Sequence, residues 1–382
     1  MNDLSGKTGP LNGIKVVELA GIGPGPYAGQ LLADMGADVV VIDRPGGGMP
    51  KAIDGRGKRS IVLDLKKPEA VEALLKLVAK TDVLIEGLRP GVTERMGVGP
   101  EACHAVNPGL IYGRMTGWGQ TGPWSQMAGH DINYIGMTGV LNAIGKDGQP
   151  PAVPLNMIGD FGGGSMFLVT GILAALIERG RTGTGNIVDA AIVDGTHSLM
   201  SFVHGMAGLG QWRTAREGNL LDGAAPFYRC YTTADGKFMA VGCIEPQFFA
   251  VMIERLPVDL EWYGGQHDRS AWAKQHEMLE DVFATKSRDE WEAVFAGTDA
   301  CVTPVLDYAE AASHPANADR HAVVQDGRWL HPQIAPRLAT QPLATQFDIA
   351  TKGGDYAAIL AEAGISDADV IKLVETEAVK AP

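Results

Sequence analysis

The sequence predicts an α/β fold in which helices cover both faces of a parallel sheet, followed by a smaller α+β domain. Short runs rich in Val and Ile alternate with helical segments from Ile14 to Gly117. This alternation is typical of parallel strands that are connected by helices. From about Asp222 the pattern changes to a β-hairpin and then to further helices, which indicates a second domain.

Each predicted strand is a nearly continuous apolar run, because both faces of a strand in such a sheet are buried. The predicted strands are Ile14–Leu19, Ala37–Asp43, Ser60–Leu65, Asp82–Gly87 and Leu110–Gly117. The intervening helices show apolar residues at helical spacing, and Pro68 stands near the first turn of one of them. The later elements are a helix over Phe161–Gly183, a strand leading into a helix over Gly185–Val203, a hairpin over Phe227–Glu245, helices over Pro246–Leu256 and His276–Gly297, and C-terminal helices over Tyr356–Glu377.

The bulk composition favours a globular enzyme and argues against a nucleic-acid partner. The formal net charge is −13 and no basic block offsets it. The four cysteines lie far apart, without metal or redox spacing, and we expect reduced thiols. The N-terminal residues carry no apolar signal segment, and the run MFLVTGILAALIE is short for a membrane span. We therefore expect a cytoplasmic location and neither a membrane nor a metal partner.

The loop ELAGIGPGPYAG suggests a dinucleotide-binding turn, but its details disfavour that interpretation. It follows a strand and precedes a helix, and Asp43 ends the next strand where such folds place a ribose-binding acid. However, Pro24 and Pro26 remove backbone N–H donors that a pyrophosphate would need. Arg44 beside Asp43 also weakens the preference for a free ribose hydroxyl. A tight strand-to-helix turn that needs glycine for its geometry explains the loop as well.

His130 and Asp160 are the candidate acid/base residues. His130 and Asp131 lie in a polar loop between glycine-rich stretches, and Asp160 directly precedes three glycines at the predicted start of a helix. Backbone N–H groups at a helix start favour negative charge, and Gly162 and Gly163 can supply them to an oxyanion. This arrangement suits removal and return of a proton next to a carbonyl group. A surface histidine and an ordinary N-cap aspartate remain open as alternatives.

Other chemistries fit these residues less well. The chain has no G-x-S-x-G nucleophile motif, which disfavours a Ser/His/Asp hydrolase. No group of His, Cys, Asp and Glu has the spacing of metal ligands.

Several motifs together resemble the α-methylacyl-CoA racemases of the family III CoA-transferase superfamily. They include YGRMTGWGQTGP, AGHDINYI, NMIGDFGGGSM, DAAIVDG and VGCIEPQFF, and the similarity runs over nearly the whole chain. The resemblance implies interconversion of (2R)- and (2S)-2-methylacyl-CoA thioesters through an enolate. It implies no cofactor, because the CoA moiety belongs to the substrate.

The resemblance also implies roles for individual residues. His130 and Asp160 match the two acid/base groups, Glu245 matches a residue that hydrogen-bonds the histidine, and Asn156 matches the partner of the aspartate. The positions that match CoA contacts are Arg44, Leu63, Asp64, Leu65, Lys66, Gly87, Leu88, Arg89, Arg95, Gly129, Asp131, Ile132, Asn133 and Tyr134. The glycine-rich segment Pro45–Lys58 departs from the family pattern, so Lys58 and Arg59 receive no assigned contact.

The family layout implies the domain organisation. Residues 1–190 would form a large Rossmann-like CoA-binding domain that residues 335–382 complete, and residues 222–311 would form the small domain. Linkers would span residues 191–221 and 312–334. Two chains would interlock as a homodimer, with each site drawing His130 and Glu245 from different subunits.

Two other functions stay open at this point. A family III CoA transferase would use Asp160 as a nucleophile, but such enzymes generally lack the histidine and the glutamate that this chain has. A CoA- or acyl-binding module without catalysis is the other alternative. Met137, Met157 and Met166 lie near the predicted site, and we expect some of them to offer an adaptable apolar surface to acyl tails.

Overall fold

A computed structural model describes residues 8–259 and 265–382, which form two compact units. The first unit comprises the described residues up to Thr138, Leu155–Leu199 and His321–Pro382; the second comprises those of Gly139–Pro154 and Met200–Arg320. The sequence placed residues 139–154 in the large domain, but they group with the second unit. Arg216 of the second unit contacts this stretch and donates hydrogen bonds to the carbonyl oxygens of Lys146 at 2.9 Å and Asn142 at 3.1 Å.

The N-terminal part of the first unit alternates strands and helices as the sequence predicts. Its strands are β1 Lys15–Leu19, β2 Asp38–Asp43, β3 Lys58–Leu63, β4 Val83–Glu86, β5 Ile111–Thr116 and β6 Asn186–Ala191. Its helices are α1 Pro24–Asp34, α2 Lys51–Asp54, α3 Pro68–Val78, α4 Val92–Arg95, α5 Pro100–Val106, α6 Asp131–Met137, α7 Met166–Thr182 and α8 Ile192–Leu199. A nine-residue π-helical segment, Met157–Ser165, directly precedes α7.

The second unit is built on a three-stranded antiparallel sheet. Its elements are α9 Ser201–Gly208, β7 Tyr228–Thr232, β8 Phe238–Gly242, α10 Pro246–Arg255, α11 Trp272–Phe283, α12 Arg288–Phe295, β9 Val302–Pro304, α13 Tyr308–Ser313 and α14 Pro315–Ala318. The predicted hairpin is confirmed, with Tyr231 opposite Met239. Aromatic side chains, among them Phe283 and Trp291, fill the core between this sheet and its helices.

The C-terminal residues return to the first unit. They contribute β10 Val323–Asp326, β11 Trp329–Pro332, α15 Tyr356–Glu362, α16 Asp367–Glu375 and β12 Val379–Lys380. β12 pairs antiparallel with β3, so the described part of the large sheet has seven strands in the order β12-β3-β2-β1-β4-β5-β6. The other neighbouring strands in this sheet are parallel.

Strand periodicity distributes the core over both faces of the large sheet. Val17 points to the face that α3 and α15 cover, and its neighbour Val16 points to the face that α1 and α7 cover. Both side chains are buried, and complete burial of one valine or leucine contributes roughly 1.5–3 kcal/mol. This two-sided burial explains why the strands appear in the sequence as continuous apolar runs.

One helical stretch among the described residues, Met157–Thr182, is long and apolar enough to cross a membrane. The same test is passed by core helices of globular proteins. Leu168 and Ile172 of this stretch contact the sheet at β5, where a Cβ on Gly113 would lie 3.0 and 3.4 Å from their side chains. Its buried side is therefore accounted for by packing within the first unit.

Candidate active site

A cavity of about 670 Å³ opens at the carboxyl ends of β1, β4 and β5. The strand order changes direction between β1 and β4, because β2 and β3 extend to one side of β1 and β5 and β6 to the other. In open α/β sheets, ligands bind in the crevice at such a switch point. His130 and Asp160 both line this cavity, together with Asn133 and Tyr134. The structure thus brings the two candidate acid/base residues to one site.

His130 stands directly before the first residue of α6 and is exposed. Its backbone N–H donates to Oδ1 of Asn133 at 3.0 Å, and its carbonyl oxygen accepts from the N–H of Asn133 at 2.8 Å. These two bonds stabilise the start of the helix. The polar loop that the sequence singled out therefore ends in a helix cap, which holds the backbone of His130 in place.

Asp160 lies within the π-helical segment and not at the start of a helix. The prediction of a helix that begins at Phe161 is wrong, because the helical backbone begins at Met157. The Asp160 carboxylate accepts a hydrogen bond from Asn156 Nδ2 at 3.4 Å, which agrees with the predicted pairing. It also faces the turn between β1 and α1, where a Cβ on Gly23 would lie 3.1 Å from Asp160 Oδ2.

The environment of Asp160 raises the pKa of its carboxyl group above the usual value. Burial is the largest cause, since it penalises the charged form. The hydrogen bond from Asn156 acts in the opposite direction, the negative charge of Asp131 raises the pKa further, and His130 lowers it. Asp160 is therefore suited to hold a proton nearer to neutral pH than an exposed aspartate.

Asp131, which matches a CoA contact, is not among the residues that line this cavity. Its carboxylate is buried and accepts the backbone N–H of Asp160 at 2.7 Å. Ile132 also lies outside the residues that line the cavity, whereas Gly129, Asn133 and Tyr134 line it. The Tyr134 hydroxyl donates to the carbonyl oxygen of Gly129 at 2.5 Å.

The predicted oxyanion role of Gly162 and Gly163 is not supported by the backbone. They are the sixth and seventh residues of the π-helical segment, and in a π-helix the N–H of such residues is directed to a carbonyl of the segment itself. Gly163 is buried against α8, where a Cβ would lie 2.8 Å from the backbone nitrogen of Thr196. These glycines allow close packing and do not present free donors.

A second cavity, of about 660 Å³, collects most of the remaining predicted CoA positions. Arg44, Leu63, Asp64, Leu65 and Lys66 line it, together with Gly46, Gly47 and Gly48. Leu19, Ala20, Arg44 and Leu88 line both cavities. Arg44 and Lys66 are exposed, and the three glycines have positive φ angles that turn the backbone sharply. The two cavities are therefore adjacent, with Arg44 at their shared wall.

The loop after β4 places Gly87, Leu88 and Arg89 at the first cavity, whereas Arg95 lines neither cavity. A buried ion pair holds this loop. Arg114 Nε donates to Glu86 Oε1 at 2.9 Å, and Glu86 Oε2 accepts the N–H of Leu88 at 2.7 Å. The same arginine binds Glu94 of α4 at 2.9 Å.

Lys58 and Arg59, which the sequence left unassigned, are bound to carboxylates. Lys58 Nζ lies 2.7 Å from Oε2 of Glu18, and both side chains are almost completely buried. Arg59 bridges Asp38 and Glu362. These ion pairs leave neither cation oriented toward the cavities.

Asp43 is engaged as well, because it accepts a hydrogen bond from Ser60 Oγ at 2.6 Å and pairs with Lys51 at 3.0 Å. This engagement argues further against a ribose-binding role for Asp43.

Glu245 belongs to the second unit. It is exposed and precedes the first residue of α10, which begins at Pro246. The structure therefore groups His130, Asn156 and Asp160 in the first unit and Glu245 in the other.

Sequence reasoning missed several residues that line the first cavity. Trp118, Ser125 and Met127 belong to the long loop before His130 and line it. The length and glycine content of that loop were the available signal. The sequence indicates only a turn role for Gly23, whereas in the structure its missing side chain leaves room for the Asp160 carboxylate. Within residues 8–259 and 265–382, no three His, Cys, Asp or Glu side chains cluster as metal ligands.

Comparisons with known proteins show the family to which the chain belongs. The sequence model described as CoA-transferase family III matches residues 11–349. Alpha-methylacyl-CoA racemase of Mus musculus is 44% identical over 97% of this chain and 99% of its own length, and the Homo sapiens protein of the same name is 43% identical over the same shares. A crystal structure of a CAIB/BAIF family protein from Brucella suis superposes with a TM-score of 0.80 at 28% identity, covering 93% of this chain and 99% of that one. The chain therefore belongs to CoA-transferase family III.

Proposed function

We propose that this protein is a racemase that interconverts (2R)- and (2S)-2-methylacyl-CoA thioesters. The observation that carries the proposal is the shared cavity of His130 and Asp160 at the switch point of the sheet. Two relatives that match nearly the whole chain at 43% and 44% identity bear the name alpha-methylacyl-CoA racemase. A racemase must exchange a proton on either face of one carbon, so it needs two acid/base groups at one site.

The proposed reaction consists of two proton transfers. Neutral His130 removes the α-proton of one enantiomer, and the electron pair of the broken C–H bond forms an enolate. A protonated Asp160 then donates its proton to the opposite face, which gives the other enantiomer. One turnover leaves His130 protonated and Asp160 ionised, so the enzyme is ready to convert the product enantiomer back.

The raised pKa of Asp160 supports this cycle. One of the two groups must carry a proton while the other does not. Burial of the Asp160 carboxyl stabilises its protonated form, and the hydrogen bond from Asn156 prevents a still larger rise of the pKa. The raised pKa therefore favours the protonated Asp160 that the second proton transfer requires.

The enolate oxygen needs hydrogen-bond donors. Gly162 and Gly163 do not supply them, because their N–H groups lie inside a helical segment.

The two adjacent cavities suit an acyl-CoA thioester. Arg44 at their shared wall can bind phosphate oxygens, since a guanidinium group offers two parallel donors. The acyl tail would lie on exposed apolar side chains of the first unit. Met137, Met157 and Met166 are 56%, 62% and 47% exposed. Flexible, polarizable methionines adapt to tails of different shape.

The protein would act as a homodimer. Exposed apolar residues, including Ile177 and Leu199, occur on helices that follow the site in the chain. Burial of such surface by a second copy would be favourable. In the family layout, Glu245 of one subunit would orient His130 of the other. The proposal includes a cytoplasmic location for the protein.

Hydrogen exchange at the α-carbon tests the proposal directly. Each purified enantiomer of a panel of 2-methylacyl-CoA thioesters is incubated with the enzyme in heavy water, and both deuterium uptake and inversion are followed. Wild-type protein should catalyse both. His130→Ala and Asp160→Ala should each abolish inversion but keep slow exchange with opposite enantiomer preferences. The same preference in both variants would contradict the two-base assignment.

CoA transfer is the second candidate function, since the matching family includes transferases by its description. Such a transferase would use Asp160 as a nucleophile. Incubation of an acyl-CoA with free oxalate, succinate or carnitine separates the two activities. Formation of a new CoA thioester without α-hydrogen exchange would support the transferase.

A further inference from the structure

We infer that Asp131 is a positioning residue for racemisation: its carboxylate ties the start of α6, which carries His130, to the π-helical segment that carries Asp160. The inference rests on the proposed function and extends it. Asp131 therefore acts on the acid/base pair and not on CoA.

The contact geometry supports this role. Asp131 directly follows His130 in the chain, and its Oδ2 accepts the backbone N–H of Asp160 at 2.7 Å. The residue is only 6% exposed. Its Oδ1 is buried and has no hydrogen-bond partner within the described residues. A buried carboxylate with one unpaired oxygen is costly, and a stability role alone would favour a fully paired or neutral group.

The neighbours of Asp131 allow little freedom. A Cβ on Gly159 would lie 2.5 Å from Asp131 Oδ2 and 2.9 Å from a side-chain carbon of Ile135. Only a glycine at 159 therefore lets the carboxylate approach the backbone of Asp160. The hydrogen bond from the N–H of Asp160 to Asp131 therefore joins two closely packed elements that carry the two acid/base residues.

Asp131 also acts on Asp160 through its charge. The charge of Asp131 raises the pKa of the Asp160 carboxyl, whereas His130 lowers it. Burial and then the charge of Asp160 raise the pKa of the Tyr134 hydroxyl. Further titratable or charged groups stand on the other elements packed against the segment. They are Tyr27 and Asp34 of α1, Tyr112 and Arg114 of β5, Glu178, Arg179 and Arg181 of α7, Asp189 of β6, and Asp194 and His197 of α8.

The first test is Asp131→Asn, which keeps the shape but removes the charge. The pKa of Asp160 should then fall, so the limbs of the pH–rate profile that report Asp160 should move to lower pH in both directions of the reaction. The rates are measured with each enantiomer as α-hydrogen exchange in heavy water. A profile that coincides with that of the wild type, or that moves to higher pH, would overturn the inference.

The second test is Asp131→Ala, which removes the hydrogen bond. We expect kcat to fall by about 10²-fold, because misplacement of a catalytic group by about 1 Å can cost that much. KM for the acyl-CoA should stay unchanged, since Asp131 does not line the cavity. An increase in KM with unchanged kcat would instead assign Asp131 to CoA binding and overturn the inference.

Asp34→Asn is the matched control. Asp34 is buried to a similar degree and pairs with Arg56 at 2.8 Å, away from both cavities. The Asp34→Asn variant should have a lower free energy of unfolding and an unchanged pH–rate profile.

If the Asp131 variants do not fold, Gly159→Ala offers a second test, because it displaces the same carboxylate. It should lower kcat, and an unchanged kcat would count against the inference. Absence of exchange in the wild type would contradict the proposed function itself.

Discussion

Replacement of Gly23 by alanine should lower turnover through one side-chain contact. Gly23 precedes α1 and has φ 72° and ψ −115°, a backbone conformation that L side chains rarely adopt. Its missing side chain leaves room for the Asp160 carboxylate, because a Cβ there would lie 3.1 Å from Asp160 Oδ2. Ordinary contacts of a Cβ begin at 3.4 Å, so the carboxylate must move by a few tenths of an ångström.

Two effects follow, and they have different sizes. Backbone strain at position 23 should reduce the free energy of unfolding by about 1–3 kcal/mol. A displacement of about 1 Å can cost 10²-fold in rate, so a shift of a few tenths should lower kcat by about threefold to tenfold. The movement should also disturb the 3.4 Å hydrogen bond between Asn156 and Asp160.

Gly183→Ala separates strain from contact. Gly183 directly follows α7 with φ 74°, and a Cβ there would meet nothing within 4 Å. It should lose stability but keep full activity. Both variants are assayed by denaturant unfolding and by α-hydrogen exchange in heavy water with each enantiomer. If the Gly23→Ala enzyme catalyses α-hydrogen exchange as fast as the Gly183→Ala enzyme, the close approach of Asp160 to this turn is irrelevant to catalysis.

Three further variants test other parts of the site. Asn156→Ala removes the hydrogen bond that lowers the pKa of Asp160, so the Asp160 limbs of the pH–rate profile should move to higher pH; movement to lower pH would contradict the cause given for the shift. Arg44→Ala should weaken CoA binding about tenfold or more at low salt, as expected for the loss of a charge-assisted hydrogen bond. The salt dependence of the affinity, measured by calorimetry, should also become smaller. An unchanged affinity would show that Arg44 does not bind the phosphates of CoA. Co-refolding of inactive His130→Ala and Glu245→Ala proteins should restore some activity in hybrid dimers, and hybrids without activity would argue for a site within one chain.

Local patterns were sufficient for much of the fold. The apolar runs around Val17, Val40 and Leu84 are buried on both faces, and such strands differ visibly from amphipathic helices in sequence. The hairpin that pairs Tyr231 with Met239 could also be predicted from the sequence, because alternating aromatic and β-branched residues flank a turn. His130 and Asp160 could be singled out in the sequence because each lies beside glycines. Packing of an apolar core does not require a polar side chain at such a position.

The tertiary structure alone decided how those groups face one another. The helix that carries Asp160 begins at Met157 as a π-helical segment, and Gly163 and Gly164 of that segment pack closely against α8. Such a contact between distant segments leaves no periodic signal in the sequence. The sequence by itself determined which residues carry charge, but not their partners. Asp131 meets the backbone of Asp160, and Lys58 meets Glu18 in the core. A buried charge takes the partner that folding brings within hydrogen-bond distance, and that choice depends on the packing of the whole chain.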